Sequence, residues 1–323
     1  MRWKGSRAAM AATVLALAVA AACGWAGAQI ATCPIPLYRY ALEWWEREPY
    51  EVYVFCDGAL TDYERAVIER LEAMAAGDGG GERAVNLRMR RVESESRERL
   101  DSHAAVRGEV PESLPWMVVH YRPVGANART PVWSGALTDE NVDALVDSPK
   151  RQEIADLLLN GAAVVWVFLE SGNEAADDEA FQILERELTR LEAALEPPDA
   201  GAFGVEEIPL PDLRFEALRL SREASEESML VNMLSRTEPD LERYANEPIV
   251  FPIFGRGFVM NALVGGGVNP GMIRETAEVL AARSTCTMTQ TGNPGAGLLT
   301  AMNWADHIEP LAEEWAPGGG AAD

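Results

Sequence analysis

Four cysteines, Cys23, Cys33, Cys56 and Cys286, are the residues of this chain best suited to chemistry. A thiol becomes a nucleophile or a disulfide-exchange centre when its thiolate is stabilised, most simply by a helix N-terminus and a second cysteine three positions on. No Cys-x-x-Cys occurs. Cys56 is the candidate for a one-thiol chemistry. If Cys23 is removed by cleavage, Cys33 and Cys56 are the nearest remaining pair for a disulfide, although spacing leaves the pairing open. Cys23 follows Ala21-Ala22 and is the candidate for lipidation, with Val19 one place too far upstream for a good match; Thr32-Cys33 is a poorer one. His103, His120 and His307 lie more than five residues from one another and from every cysteine, so zinc-ligand spacing is missing and neither metal nor cofactor is expected.

The second feature is Gly255-Arg256-Gly257 between two apolar runs. Glycines there provide a tight turn, whereas an anion-binding loop would require a helix N-terminus directly after it. Arg256, a cation in a short loop of an acidic chain, is the candidate to hold a partner carboxylate or an internal salt bridge, with Gly255 and Gly257 shaping the loop. The sequence contains no Gly-x-Ser-x-Gly, His-Glu-x-x-His or Walker motif. Carboxylate pairs such as Asp177-Asp178 read as solvated helix faces.

The elements that must position these residues follow from periodicity. Tyr50 to Phe55 is β-branched and aromatic and predicts a strand, and Thr61-Asp62 begins a helix through Val67, Ile68, Leu71 and Met74. Ala84 to Val92 alternates as a second strand. Leu114 to Tyr121 predicts a third strand introduced by Pro115, and Pro131 to Leu137 a fourth. Thr138 caps a helix, and Ser148-Pro149 opens another that runs to Leu159. The order then repeats. Ala163 to Leu169 is the continuous apolar run of a strand covered on both faces. Glu174 to Glu196 is a long amphipathic helix, Phe215 to Leu220 a strand, and Ser225 to Leu234 a helix. Ile249 to Phe254 and Phe258 to Val264 are two further strands, and Asn269-Pro270 starts a last helix. The C-terminal segment from Cys286, including Leu298 to Trp304, is expected to wrap onto the second unit.

Arg2, Lys4 and Arg7 precede an apolar stretch from Ala8 to Ala22, and Ala26-Gly27-Ala28 is a small-x-small cleavage site. This is the pattern of a secretory signal, too short for a stable membrane anchor. Losing those three positive charges from a net charge of -23 leaves about -26, which repels phosphate backbones and anionic lipid heads. Nucleic acid is therefore excluded as a partner, and membrane attachment is expected through a lipid on Cys23 or not at all. With 48% hydrophobic and 24% charged residues the remainder is ordinary globular material, enough for two domains.

The order strand-helix-strand-helix and then proline-strand-strand-helix, present twice, resembles the thioredoxin-like fold. In that family a cis-proline precedes the third strand and faces the redox site; Pro115 and Pro248 stand in the matching places. The resemblance implies an α/β protein of two tandem thioredoxin-like domains, each a mixed sheet flanked by helices, without the Cys-x-x-Cys motif. Its divisions are 1–28 (signal), 29–160 (first domain with an N-terminal strap), 161–285 (second domain) and 286–323 (C-terminal strap and disordered tail). At the family's redox position the first domain has Cys56-Asp57-Gly58-Ala59, one thiol, and the second has Glu170-Ser171-Gly172-Asn173, none. Cys33 to Glu43, Pro252 to Gly257 and Asn293-Pro294-Gly295 further resemble a group of exported bacterial proteins that carry no established activity. The expected function is an exported, redox-inactive binding or assembly module whose partner is another envelope protein. The alternatives are a one-thiol disulfide oxidoreductase using Cys56 with Pro115 opposite, and a lipoprotein subunit of an envelope transporter complex.

Overall fold

The computed structural model describes residues 32–56, 58–76, 85–93, 113–121, 131–195, 212–281, 283–285, 296–304 and 306–308. Two mixed sheets form its centre. In the first, strand β2 (Tyr50–Cys56) lies between β3 (Leu87–Glu93), which runs parallel to it with Tyr50 opposite Leu87, and β4 (Trp116–His120), antiparallel with Val52 opposite Val119. Strand β5 (Trp133–Ala136) completes the order β3-β2-β4-β5. The second sheet repeats this arrangement. Its central strand β6 (Val164–Leu169) pairs in parallel with β7 (Phe215–Leu220) and antiparallel with β8 (Ile249–Phe254), beyond which lies β9 (Phe258–Val259).

Helices begin where the sequence places their caps. Before α2 (Asp62–Ala76), the Glu64 amide donates to Thr61 Oγ1 at 3.2 Å and the Thr61 amide to Glu64 Oε2 at 2.7 Å, a reciprocal capping box. Thr138 caps α3 (Asp139–Val146) by accepting from the Asn141 amide, and Pro149 opens α4 (Pro149–Leu159). Asn173 caps α5 (Glu174–Ala194). After α6 (Ser228–Ser235), Asn269 Oδ1 accepts the Gly271 and Met272 amides at the start of α7 (Pro270–Ala281). Among the described residues no helix is long and apolar enough to cross a membrane.

The expected strand from Phe258 to Val264 divides into β9 and β10 (Leu263–Val264), both antiparallel to β8. Phe254 opposes Phe258 but Val250 opposes Leu263, so one extra residue is absorbed between them, as in a β-bulge. Pro252 explains the break: its carbonyl accepts the Met260 amide at 2.9 Å, but it has no N–H to give back.

The cores do not follow a simple two-domain division. Along β6, Val164, Trp166 and Phe168 face a core built with α5 and α7. Val165, Val167 and Leu169 face a different one, contiguous with Val52, Val54, Met117 and Val119 of the first sheet. The two units thus share a core. The N-terminal segment, placed by sequence with the first unit, packs on the second. Strand β1 (Thr32–Pro36) pairs with β11 (Arg283–Thr285), and α1 (Leu37–Trp44) brings Leu37, Tyr38 and Ala41, followed by Trp45, against Phe254 and Phe258. An amphipathic helix declares its apolar face, not which sheet will cover it. At the other end, β12 (Ala296–Gly297) joins the second sheet beside β9, and Ala301 bridges to Val85 near β3. The C-terminal strap therefore touches both units, where the sequence predicted the second.

Candidate functional site

Strand β2 ends on Cys56. Side chains alternate along a strand, so Cys56 shares the inward face of Val52 and Val54 and is fully buried, its Sγ 3.9 Å from the Val54 carbonyl oxygen. Phe55 pairs with Trp116, so Cys56 and Pro115 stand one residue beyond the last pair of that ladder, at the same end of the sheet. The Leu114–Pro115 peptide is cis, and the Pro115 carbonyl accepts the Leu137 amide at 3.2 Å. The two residues that sequence singled out in the first unit thus lie at neighbouring strand ends. Phe55, Val118, Leu114 and Trp116 pack nearby on the opposite face of the sheet.

The equivalent place in the second unit is built differently. Leu169 pairs with Ile249, so the next step sets Glu170 opposite Pro248. Pro248 does not share the cis geometry, since Leu114–Pro115 is the one cis peptide among the described residues. Asp177, 3% exposed on the first turn of α5, closes the Glu170–Asn173 loop. Its carboxylate accepts the Ser171 amide at 2.9 and 3.1 Å, the Ser171 hydroxyl at 2.8 Å and the Gly172 amide at 3.1 Å. A carboxylate at a helix N-terminus is favoured by the unsatisfied amides there. Asp177 thus turns inward rather than lying on a solvated face. Arg222 then ties the two loops together, donating to the carbonyls of Glu170 at 2.7 Å and Glu247 at 3.3 Å. Burial pulls its guanidinium below the usual range, with Asp177 opposing. Arg219 pairs with Glu170 and Asp178 over the Phe181 ring.

Neither the comparison with protein-family models nor that with curated proteins gives a match. Among solved structures, the chain is similar to the first two thioredoxin domains of Naumovozyma dairenensis Eps1p. Identity there is 12% and the TM-score 0.21, over 68% of this chain and 85% of that one. It is also similar to the zinc-bound form of human ERp44, at 9% identity and a TM-score of 0.22, over 76% of this chain and 60% of that one. The chain thus spans three fifths of the ERp44 structure.

Gly255, Arg256 and Gly257 form the turn between β8 and β9, both glycines with positive φ (57° and 85°). Arg256 points back at α1: Nε donates to the Leu42 carbonyl at 2.7 Å and Nη2 to the Glu43 carbonyl at 2.8 Å. These carbonyls belong to the last turn of the helix, which lacks partners of its own. A Cβ on Gly255 would stand 2.6 Å from the Ala41 Cβ, so the loop is fitted to α1. The turn therefore fastens the N-terminal helix to the second sheet. Cys33 lies on β1, but its side chain, like Cys23 and Cys286, falls outside the described residues.

Sequence inspection missed a polar cluster around the C-terminal strap. Arg151 on α4 is fully buried and donates to Ser148 Oγ (2.9 Å) and to the carbonyls of Leu145 (2.9 Å), Ala144 (2.5 Å) and Leu299 (3.0 Å). Ser148 in turn donates to the buried Glu227 carboxylate at 2.6 Å, which also accepts the Lys150 amide. Tyr50, Tyr121, Asn86 and Arg47 reach the same strap. Beside it, a 570 Å³ cleft is lined by Arg70, Met74, Val85, Asp143, Glu226 and Ala301, among others. No local pattern marks these residues. Arg47 and Thr300 are 253 positions apart, and a lone arginine in an amphipathic helix reads as solvated.

Proposed function

We propose that this chain is an exported binding or assembly module of the cell envelope, built from two thioredoxin-like units that do not exchange disulfides. The fold assignment is supported by the strand order found twice, β3-β2-β4-β5 and β7-β6-β8-β9, each with a parallel first pair and antiparallel partners after it. Export is supported by the basic, apolar and small-x-small pattern of residues 1–28.

One observation carries the functional conclusion: at neither redox position is a thiol presented to solvent. Cys56 lies fully buried with its side chain in the shared core, where an incoming disulfide cannot reach the sulfur. At the second position the Asp177-closed loop occupies the space before the helix. What such a module offers a partner is surface, and its partner is another envelope protein. Attachment to the membrane, where it occurs, is through a lipid on Cys23.

Thiol labelling tests this. Native protein is treated with a maleimide and Cys56 is read by peptide mapping. Cys56 is expected to stay unmodified on a timescale that labels the denatured chain completely. Rapid labelling of native Cys56, with a thiolate formed below neutral pH, overturns the proposal in favour of a one-thiol oxidoreductase.

A further inference from the structure

The C-terminal strap is held in an unusual way. Strands normally recognise one another by main-chain ladders, but residues 297–302 are gripped mainly by side chains that reach their backbone. The Gly297 amide donates to Tyr121 Oη at 3.0 Å, and Tyr50 Oη donates to the Gly297 carbonyl at 2.8 Å. Asn86 takes both sides of the next step, donating to the Leu298 carbonyl at 3.2 Å and accepting the Thr300 amide at 3.1 Å. Arg151 donates to the Leu299 carbonyl. Arg47 donates to the Thr300 carbonyl at 3.2 Å and, through its other nitrogen, to the Met302 carbonyl at 3.0 Å. The second unit contributes the Gly257 carbonyl, which accepts the Leu298 amide at 2.9 Å. Between these bonds Leu298, Leu299, Ala301 and Trp304 are buried in the shared core. Ala296 to Trp304 carries no charge.

We infer that the groove between the two units is a peptide-binding site that reads main chain, filled in cis by residues 296–304. The partner class it fits is an extended, uncharged segment with small residues first and leucine-sized residues after them. This deepens the binding-module proposal and rests on it. Five side chains from separate places in the chain, β2, the residue after β4, α4 and the segments around Arg47 and Asn86, converge on carbonyls and amides that any peptide possesses. Side-chain identity along the segment is constrained where Leu298, Leu299, Ala301 and Trp304 enter the core and where the Thr300 hydroxyl accepts from Arg47 at 2.7 Å, and less at Gly297 and Asn303. The cis segment holds the groove through its high effective concentration, so a partner's segment competes once that linkage is relieved.

The test uses the full chain with a protease recognition sequence inserted between Thr285 and Ala296, cut in the native state. The probe is a fluorescent synthetic peptide of residues 296–308. Expected is saturable binding of the probe to the cut protein at up to about 100 µM, with displacement of the cut-off segment. N-methylation of the Leu298 and Thr300 amides should weaken the probe about tenfold or more, while Asn303→Gln leaves it unchanged. An absence of probe binding to cut protein whose near-ultraviolet circular dichroism stays native overturns the inference. So does equal binding of the N-methylated probe. Unfolding on cutting also overturns it, because a groove that exists only with its covalent strap is not a peptide site. A reactive Cys56, by contrast, would refute the redox part of the earlier proposal and leave this result untouched.

Discussion

Replacing Arg151 with methionine removes four donated hydrogen bonds while keeping a similar volume in the core. The acceptors left behind are the carbonyls of Ala144, Leu145 and Leu299 and the hydroxyl of Ser148, all in a region where Arg151 itself is 0% exposed. The Glu227 carboxylate, 3% exposed, would keep its bonds from Ser148 and the Lys150 amide but lose the nearby positive charge. Hydrogen bonds from a charged donor contribute roughly 1.5–3 kcal/mol each, and part of the sum is recovered because the guanidinium no longer has to be desolvated. Breaking a buried charged network on one side costs about 3–5 kcal/mol, and that is the loss expected here. The assay is urea denaturation followed by tryptophan fluorescence, in which the midpoint should fall while the slope stays constant. Hydrogen exchange provides the spatial check: amides of residues 297–301 should lose protection first, since Leu299 loses its anchor. Arg151→Lys keeps the charge but not the fork and should recover part of the loss. A change below about 1 kcal/mol for Arg151→Met would refute the reasoning, because it would mean that the network is no better than an apolar filling.

Two further outcomes follow from the same geometry. Gly255→Ala should destabilise the protein by about 1–3 kcal/mol, because its φ of 57° strains any L side chain and its Cβ would meet Ala41 at 2.6 Å. Gly257→Ala, with a similar φ but nearest contact at 3.7 Å, should cost less, and thermal melts of the two variants make the comparison. Glu187 is held below the usual carboxylate range by the hydrogen bonds from Arg190, with Arg274 adding to the effect and burial opposing it. Its contribution is present above the ordinary value of 4.5 and is lost as pH falls through the lowered folded value. The wild type should therefore lose more stability between about pH 5 and about pH 3 than Glu187→Gln does, as read by denaturation midpoints at each pH.

Local elements were readable because their signals are local. The unbroken run Val164–Leu169 reads as a strand buried on both sides, and Thr138 and Asn269-Pro270 mark helix starts through bonds spanning two or three residues. Assembly was less readable. Leu37, Tyr38, Ala41 and Trp45 advertise an apolar face, yet nothing in residues 37–45 says that Phe254 and Phe258 will cover it. The shared core was hidden for the same reason: Val165 and Val167 look alike whether they face a helix of their own unit or the first sheet. Pro248 stands where Pro115 stands, but its peptide is not cis, so one position could not predict the other. Arg256 stands out in the sequence for its charge, but its use in capping α1 depends on Leu42 and Glu43, more than two hundred residues earlier. Arg151 carries no signal in the sequence, because a buried arginine is recognisable only from the carbonyls that converge on it.

The central claim is that this pair of units binds and does not exchange disulfides, and catalysed reduction of a protein disulfide tests it most directly. With dithiothreitol as the electron source and insulin as the substrate, the native protein and its Cys56→Ser variant should both leave the uncatalysed rate unchanged. A rate enhancement by the native protein that Cys56→Ser abolishes would contradict the account.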